Sequence, residues 1–68
     1  MTIRDMQNNN IHFRGKVWVK YWIDEPYDSD HLWSNDEYEK EIVFPNDVID
    51  RTITDIMYDT DEIIIIVR

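Results

Sequence analysis

Sixty-eight residues carrying fifteen acids against seven lysines and arginines, for a net charge of −8, bound this chain to one small acidic domain. With no cysteine and one glycine, disulfides, thiolate zinc sites, thiol catalysis, phosphate-cradling loops and dinucleotide fingerprints are all excluded. A chain this short buries only about 60% of the surface it exposes when unfolded. Its stability must therefore come from three Trp, four Tyr, two Phe and many Ile, or from a partner or a second copy.

In chain order, Thr2 to Met6 fits a short strand or one helical turn, and "QNNN" is turn chemistry. Residues 11–23 carry the clearest signal. Ile11, Phe13, Val17, Val19, Tyr21 and Ile23 share one face, the alternation of a half-buried strand, with Gly15 marking a bulge or a close backbone approach. The opposite face holds Lys16, Trp18, Lys20 and Trp22. Residues 24–36, "DEPYDSDHLWSND", read as a loop, since Pro, Ser, Asn and clustered Asp form turns. Residues 37–44 alternate again, with Glu37, Glu39 and Glu41 on one side and Tyr38, Lys40, Ile42 and Phe44 on the other. If 11–23 and 37–44 pair antiparallel over one core, those glutamates flank Arg14, Lys16 and Lys20 across the ladder. Such pairs contribute roughly 0.2–1 kcal/mol each.

Two readings fit "NDVIDRTITDIMYD". One is a helical turn at 46–50 and a strand at 51–58. The other is a single helix over 46–58, giving ββαβ. The β-branched Thr52, Ile53, Thr54 and Ile56 favour the strand. A tight turn at 59–61 and a strand at 62–68 complete the chain. Ile63 to Val67 lacks alternation, which predicts burial on both faces and a central position. The fold class expected is α+β or mostly β: one domain, 1–68, with a small antiparallel sheet of three to four strands and at most one short helix.

Charge is uneven along the chain. Residues 1–23 net +3, residues 24–41 net −7 and residues 42–68 net −4. An acidic field repels nucleic acid and anionic lipid and attracts basic protein surfaces. The N-terminus lacks the apolar run of a signal peptide, and the five apolar residues 63–67 fall far short of the roughly 20 that span a bilayer. The expectation is a cytoplasmic protein with no membrane partner.

Motifs for chemistry are weak. His12 and His31 are the only histidines, and neither sits near a nucleophile elbow. "DSDHLWSNDEYE" places Asp28, Asp30 and Glu39 at calcium-loop positions 1, 3 and 12, but Leu32 and Trp33 occupy positions 5 and 6, where geometry is strictest. Neither metal, cofactor nor catalysis is expected. Trp33, inside an acidic loop, is either a lid over the sheet or the aromatic anchor of an interface. Trp18 and Trp22 stand about 7 Å apart along one strand face, a spacing that single-strand binders use for stacking bases. Such binders also present a net positive groove, which this chain lacks. Glu37, Glu39 and Glu41 would repeat about every 6.8 Å, half the line density of one DNA strand. A DNA mimic would need Asp24, Glu25, Asp28, Asp30 and Asp36 to extend the row.

In size, in its Asn, Ile, Asp and Tyr richness, in its lack of Cys and in its acidic 24–41 segment, the chain resembles small phage-encoded inhibitors, including anti-CRISPR proteins. That resemblance implies action without catalysis in the host cell cytoplasm. It implies the covering of a nucleic-acid-binding surface on a bacterial protein such as a CRISPR effector nuclease or a polymerase.

The expected function is a non-catalytic inhibitor that binds a basic protein surface through Asp28, Asp30, Trp33, Glu37, Glu39 and Glu41, without direct contact to nucleic acid. The alternative is a nucleic-acid-binding module using Lys16, Trp18, Lys20 and Trp22. A third reading is a structural homodimer assembled through sheet edges.

Overall fold

The computed structural model describes residues 1–36 and 41–68. Its elements run α1 (Ile3–Asn8), β1 (Lys16–Asp24), β2 (Asp28–Ser34), α2 (Asn46–Ile49), β3 (Ile53–Asp59) and β4 (Glu62–Val67). The four strands form one sheet in the order β2-β1-β4-β3. β1 and β4 lie parallel, while the two hairpins, β1–β2 and β3–β4, are antiparallel. This is the small, strand-rich α+β domain that the alternating patterns point to.

The terminal Ile run is the central strand, as its unbroken apolar character demands. Ile63, Ile65 and Val67 face the core, and Ile66, on the other side, is fully buried as well. The strand reading of 51–58 also holds, with α2 as the helical turn before it and Thr60 and Asp61 in the tight turn, both at positive φ.

One layer covers one face of the sheet. Ile3 of α1, Val48 and Ile49 of α2, and Phe44 pack on Val17, Val19, Ile65 and Val67. Phe13 and Trp33 close the rim around Phe44, with ring centroids 6.3 and 5.1 Å from it. At six residues, α1 is far below the length at which a helix is stable by itself. It is held by burial of Ile3 and Met6 and by a capping box. In that box Thr2 Oγ1 accepts from Asp5 N at 3.1 Å, and Asp5 Oδ2 accepts from Thr2 N at 3.0 Å.

Five expectations are corrected. Residues 24–36 are not a loop: β2 occupies 28–34 and is the antiparallel partner of β1. With β2 on one edge and β4 on the other, β1 has no free edge to accept a strand from 37–44. Within that stretch Glu37, Tyr38, Glu39 and Lys40 lie outside the described residues, and 41–44 is not strand. The first strand starts at Lys16, so Ile11 to Arg14 lead into the sheet without joining it. The sheet is mixed because β4 runs parallel to β1, and two short helices stand where at most one was expected.

Candidate functional site

The end of the β1–β2 hairpin gathers the acids. Asp24, Glu25, Asp28 and Asp30 are all exposed there, and Tyr27 projects beside them with 86% of its surface free. Ile23, 59% exposed, adds an apolar neighbour. The strands fix this geometry. Asp24 pairs with Asp28 and Tyr21 with Asp30, and the register shift between Trp22 and Asp24 leaves Ile23 unpaired in the ladder. The turn is closed by Tyr27 N donating to Asp24 O at 2.6 Å. Asp30 is the most restrained of the four. Its carboxylate accepts from its neighbour's backbone N, at His31, at 2.8 Å and faces the Tyr21 hydroxyl at 3.4 Å. Among the described residues, none of the four forms an ion pair, the resolved pair being Arg4–Asp50 at 2.6 Å.

Of the residues expected at the site, Asp28 and Asp30 thus stand together. Glu37 and Glu39 lie outside the described residues. Glu41 is exposed but lines a different cleft, of about 470 Å³, with His12, Arg14 and Phe44. Trp33 is the lid. In register with Val19, it is half-buried against Phe44 and the core. The exposed aromatic among the acids is Tyr27, which the sequence sets with Leu32 and Trp33 inside the same acidic segment.

A second cleft, of about 530 Å³, adjoins the acidic end at the C-terminal edges of β1 and β4. Tyr21, Trp22, Glu25, Arg51, Ile53, Thr54 and Arg68 line it. Arg51 is tied by its Nε to Asp47 O at 2.9 Å. Among the described residues, none gives the buried Trp22 Nε1 a hydrogen-bond partner.

Lys16, Trp18, Lys20 and Trp22 do share one face, the side of the sheet opposite α1 and α2. All four are half-buried. Lys16 Nζ donates to Asn35 O at 2.5 Å and lies 4.7 Å from the Trp18 ring centroid, and the Trp18 ring meets His31 edge-on at 5.7 Å. Lys16 is therefore engaged within the fold, while Glu37 and Glu39, expected beside the cations, lie outside the described residues. The cross-sheet neighbours of the cations are Glu62 for Lys16 and, one strand further, Asp55 for Lys20. These acids break the positive groove that tracking a nucleic-acid backbone requires.

Asn35 anchors the base of the hairpin. Its side chain accepts from Val17 N at 2.7 Å and donates to Gly15 O at 2.7 Å, prolonging the β2 ladder by one residue. It is 5% exposed, a buried polar residue whose donor and acceptor are both used.

Among the described residues, no three His, Asp or Glu side chains are placed to hold a metal ion, and no helix is long and apolar enough to cross a membrane. No protein family, curated protein or solved structure matches the chain.

Proposed function

We propose that this chain is a non-catalytic binding protein that presents the acidic end of its β1–β2 hairpin to a basic protein surface and blocks it. Its target is a surface that otherwise binds nucleic acid, in keeping with the resemblance to phage-encoded inhibitors. One observation carries the reading. Asp24, Glu25, Asp28 and Asp30 stand exposed around Tyr27, and no described cation is paired with them.

Charge of one sign on a rim steers encounter with an oppositely charged partner, and an exposed aromatic at its centre supplies the apolar contact that holds the complex. The hairpin mounts both, its strands pairing from Trp18–Ser34 to Asp24–Asp28 with register shifts after Val19 and after Trp22. Glu37, Glu39 and Glu41 add to the net negative charge of the chain in this proposal.

Wild-type protein and a variant carrying Asp24→Asn, Glu25→Gln, Asp28→Asn and Asp30→Asn are immobilised side by side and challenged with bacterial lysate. The proposal expects basic, nucleic-acid-binding proteins to be retained by the wild type, lost from the folded variant, and blocked in nucleic-acid binding when complexed. Equal retention on both columns would remove the acidic hairpin from the account.

A further inference from the structure

The face of the sheet opposite the helices is self-complementary, and we infer that it is the interface of a face-to-face homodimer. The register lines up three rows across β1, β4 and β3. Lys16, Glu62 and Asp59 form the first, Trp18, Ile64 and Met57 the second, and Lys20, Ile66 and Asp55 the third. The face is thus basic and aromatic along β1, aliphatic along β4 and acidic along β3. Both described helices pack on the other side, over Val17, Val19, Ile65 and Val67.

Consider a twofold axis lying between two such faces and running along β4. It sets β4 against β4, and β1 of each copy against β3 of the other, without changing the level along the strands. The outer strands then meet their complements row by row, while on the axis Glu62 meets Glu62 of the second copy. Lys16 faces Asp59 of the second copy, Trp18 faces Met57, Lys20 faces Asp55, and Ile64 faces Ile64. Each off-axis contact occurs twice, as a closed isologous interface requires, and Ile64 meets its own copy once.

Dimensions permit these contacts. Packed sheets stand about 10 Å apart, a gap that a lysine and an aspartate together can span. Aligned sheets cross at about 30°, which displaces pairs one strand spacing from the axis by about 3 Å. Within one chain the same partners cannot close. Lys20 and Asp55 are separated by two strand spacings, roughly 9.6 Å, with Ile66 between them. Asp55 and Asp59 are exposed in the single chain, and Met57 between them is 40% exposed.

Three strands of about five residues project roughly 14 by 17 Å, below the roughly 800 Å² per partner of a standard interface. The dimer is accordingly weak and concentration-dependent. It leaves the acidic β1–β2 turn outside the contact, so it stands independently of the binding function proposed above.

Sedimentation equilibrium tests it, at about 0.15 M salt, where charges more than about 8 Å apart are largely screened. For the wild type the average mass rises towards that of two chains between about 10 µM and 1 mM, the range expected of a small interface. Asp55→Lys weakens association at least tenfold while circular dichroism stays unchanged. Lys20→Asp combined with Asp55→Lys restores it, because both inter-copy pairs are re-formed with reversed sign. General charge repulsion predicts the opposite for the single variant, since Asp55→Lys lowers the net charge from −8 to −6. A wild type that stays monomeric over this range, or a dimer indifferent to both variants, would overturn the inference.

Discussion

At the scale of single residues, the strongest commitment is Asn35. Replacing it with Ala removes the acceptor of Val17 N and the donor to Gly15 O, and Val17 is fully buried. Leaving a buried backbone N–H unpaired costs about 1–3 kcal/mol, and the lost bond to Gly15 adds about 1 kcal/mol more. Urea titration should therefore find Asn35→Ala less stable by about 2–4 kcal/mol. A loss below about 0.5 kcal/mol would mean that Asn35 does not anchor the hairpin. Arg4 and Asp50 make the opposite case. The pair joins α1 to the end of α2, but both side chains are at least half exposed, and such pairs contribute little. The hydrogen bond from Arg4 holds the Asp50 carboxyl below the usual carboxylate range. Because its folded pKa is the lower one, the stabilisation is present above the unfolded carboxylate value, about 3.9. It is lost as pH falls through the folded value. The difference in thermal midpoint between wild type and Asp50→Asn should thus be small at neutral pH and vanish in strong acid. A difference that grew in acid would reverse the sign of this linkage.

At the scale of elements, β1, β3 and β4 were legible because their apolar residues recur with a strand period, or fill both faces, as in the Ile run. The hairpin partner β2 was not. "DSDHLWS" is an edge strand, and edge strands carry charges and small polar residues that discourage pairing with other chains. The composition that protects such an edge is also the composition of a loop. Parallel pairing of β1 with β4 was hidden for another reason: alternation tells which face a residue takes, but not the direction of the neighbouring strand. Gly15 is neither the bulge nor the close approach expected of it: it lies before β1, and what its place requires is a φ of +80°. An added Cβ would come no nearer than 3.9 Å to Asp61 O, so Gly15→Ala meets backbone strain without a clash. The expected destabilisation is about 1–2 kcal/mol, read from the denaturation midpoint. A neutral result would show that the segment before β1 relaxes to negative φ.

At the scale of the whole molecule, the acids that alternation assigned to a strand at 37–44 are not the ones on the β1–β2 turn. Of the described acidic site, Asp28 and Asp30 were legible as residues, while Asp24, Glu25 and Tyr27 were legible only as part of the charge-rich segment 24–41. Placing Asp24 opposite Asp28, and Tyr27 between them, needs the hairpin, and the hairpin needs β2. The cations and tryptophans on one strand of an acidic protein have a whole-molecule explanation too. Lys16 and Lys20 share their face with Glu62, Asp55 and Asp59, so the basic stripe lies on a face of mixed charge. The hairpin end gathers four further acids, Asp24, Glu25, Asp28 and Asp30, with no described cation paired to them. The account therefore stands or falls on electrostatic docking through that end. The most direct measurement is the rate of association with a captured basic partner as ionic strength rises from about 0.05 to 0.5 M, where the Debye length shrinks from roughly 14 to 4 Å. If the hairpin steers binding, the wild-type rate falls at least tenfold over this range, and neutralising Asp24, Glu25, Asp28 and Asp30 both slows association at low salt and flattens the dependence. Wild type and variant following the same curve would contradict it.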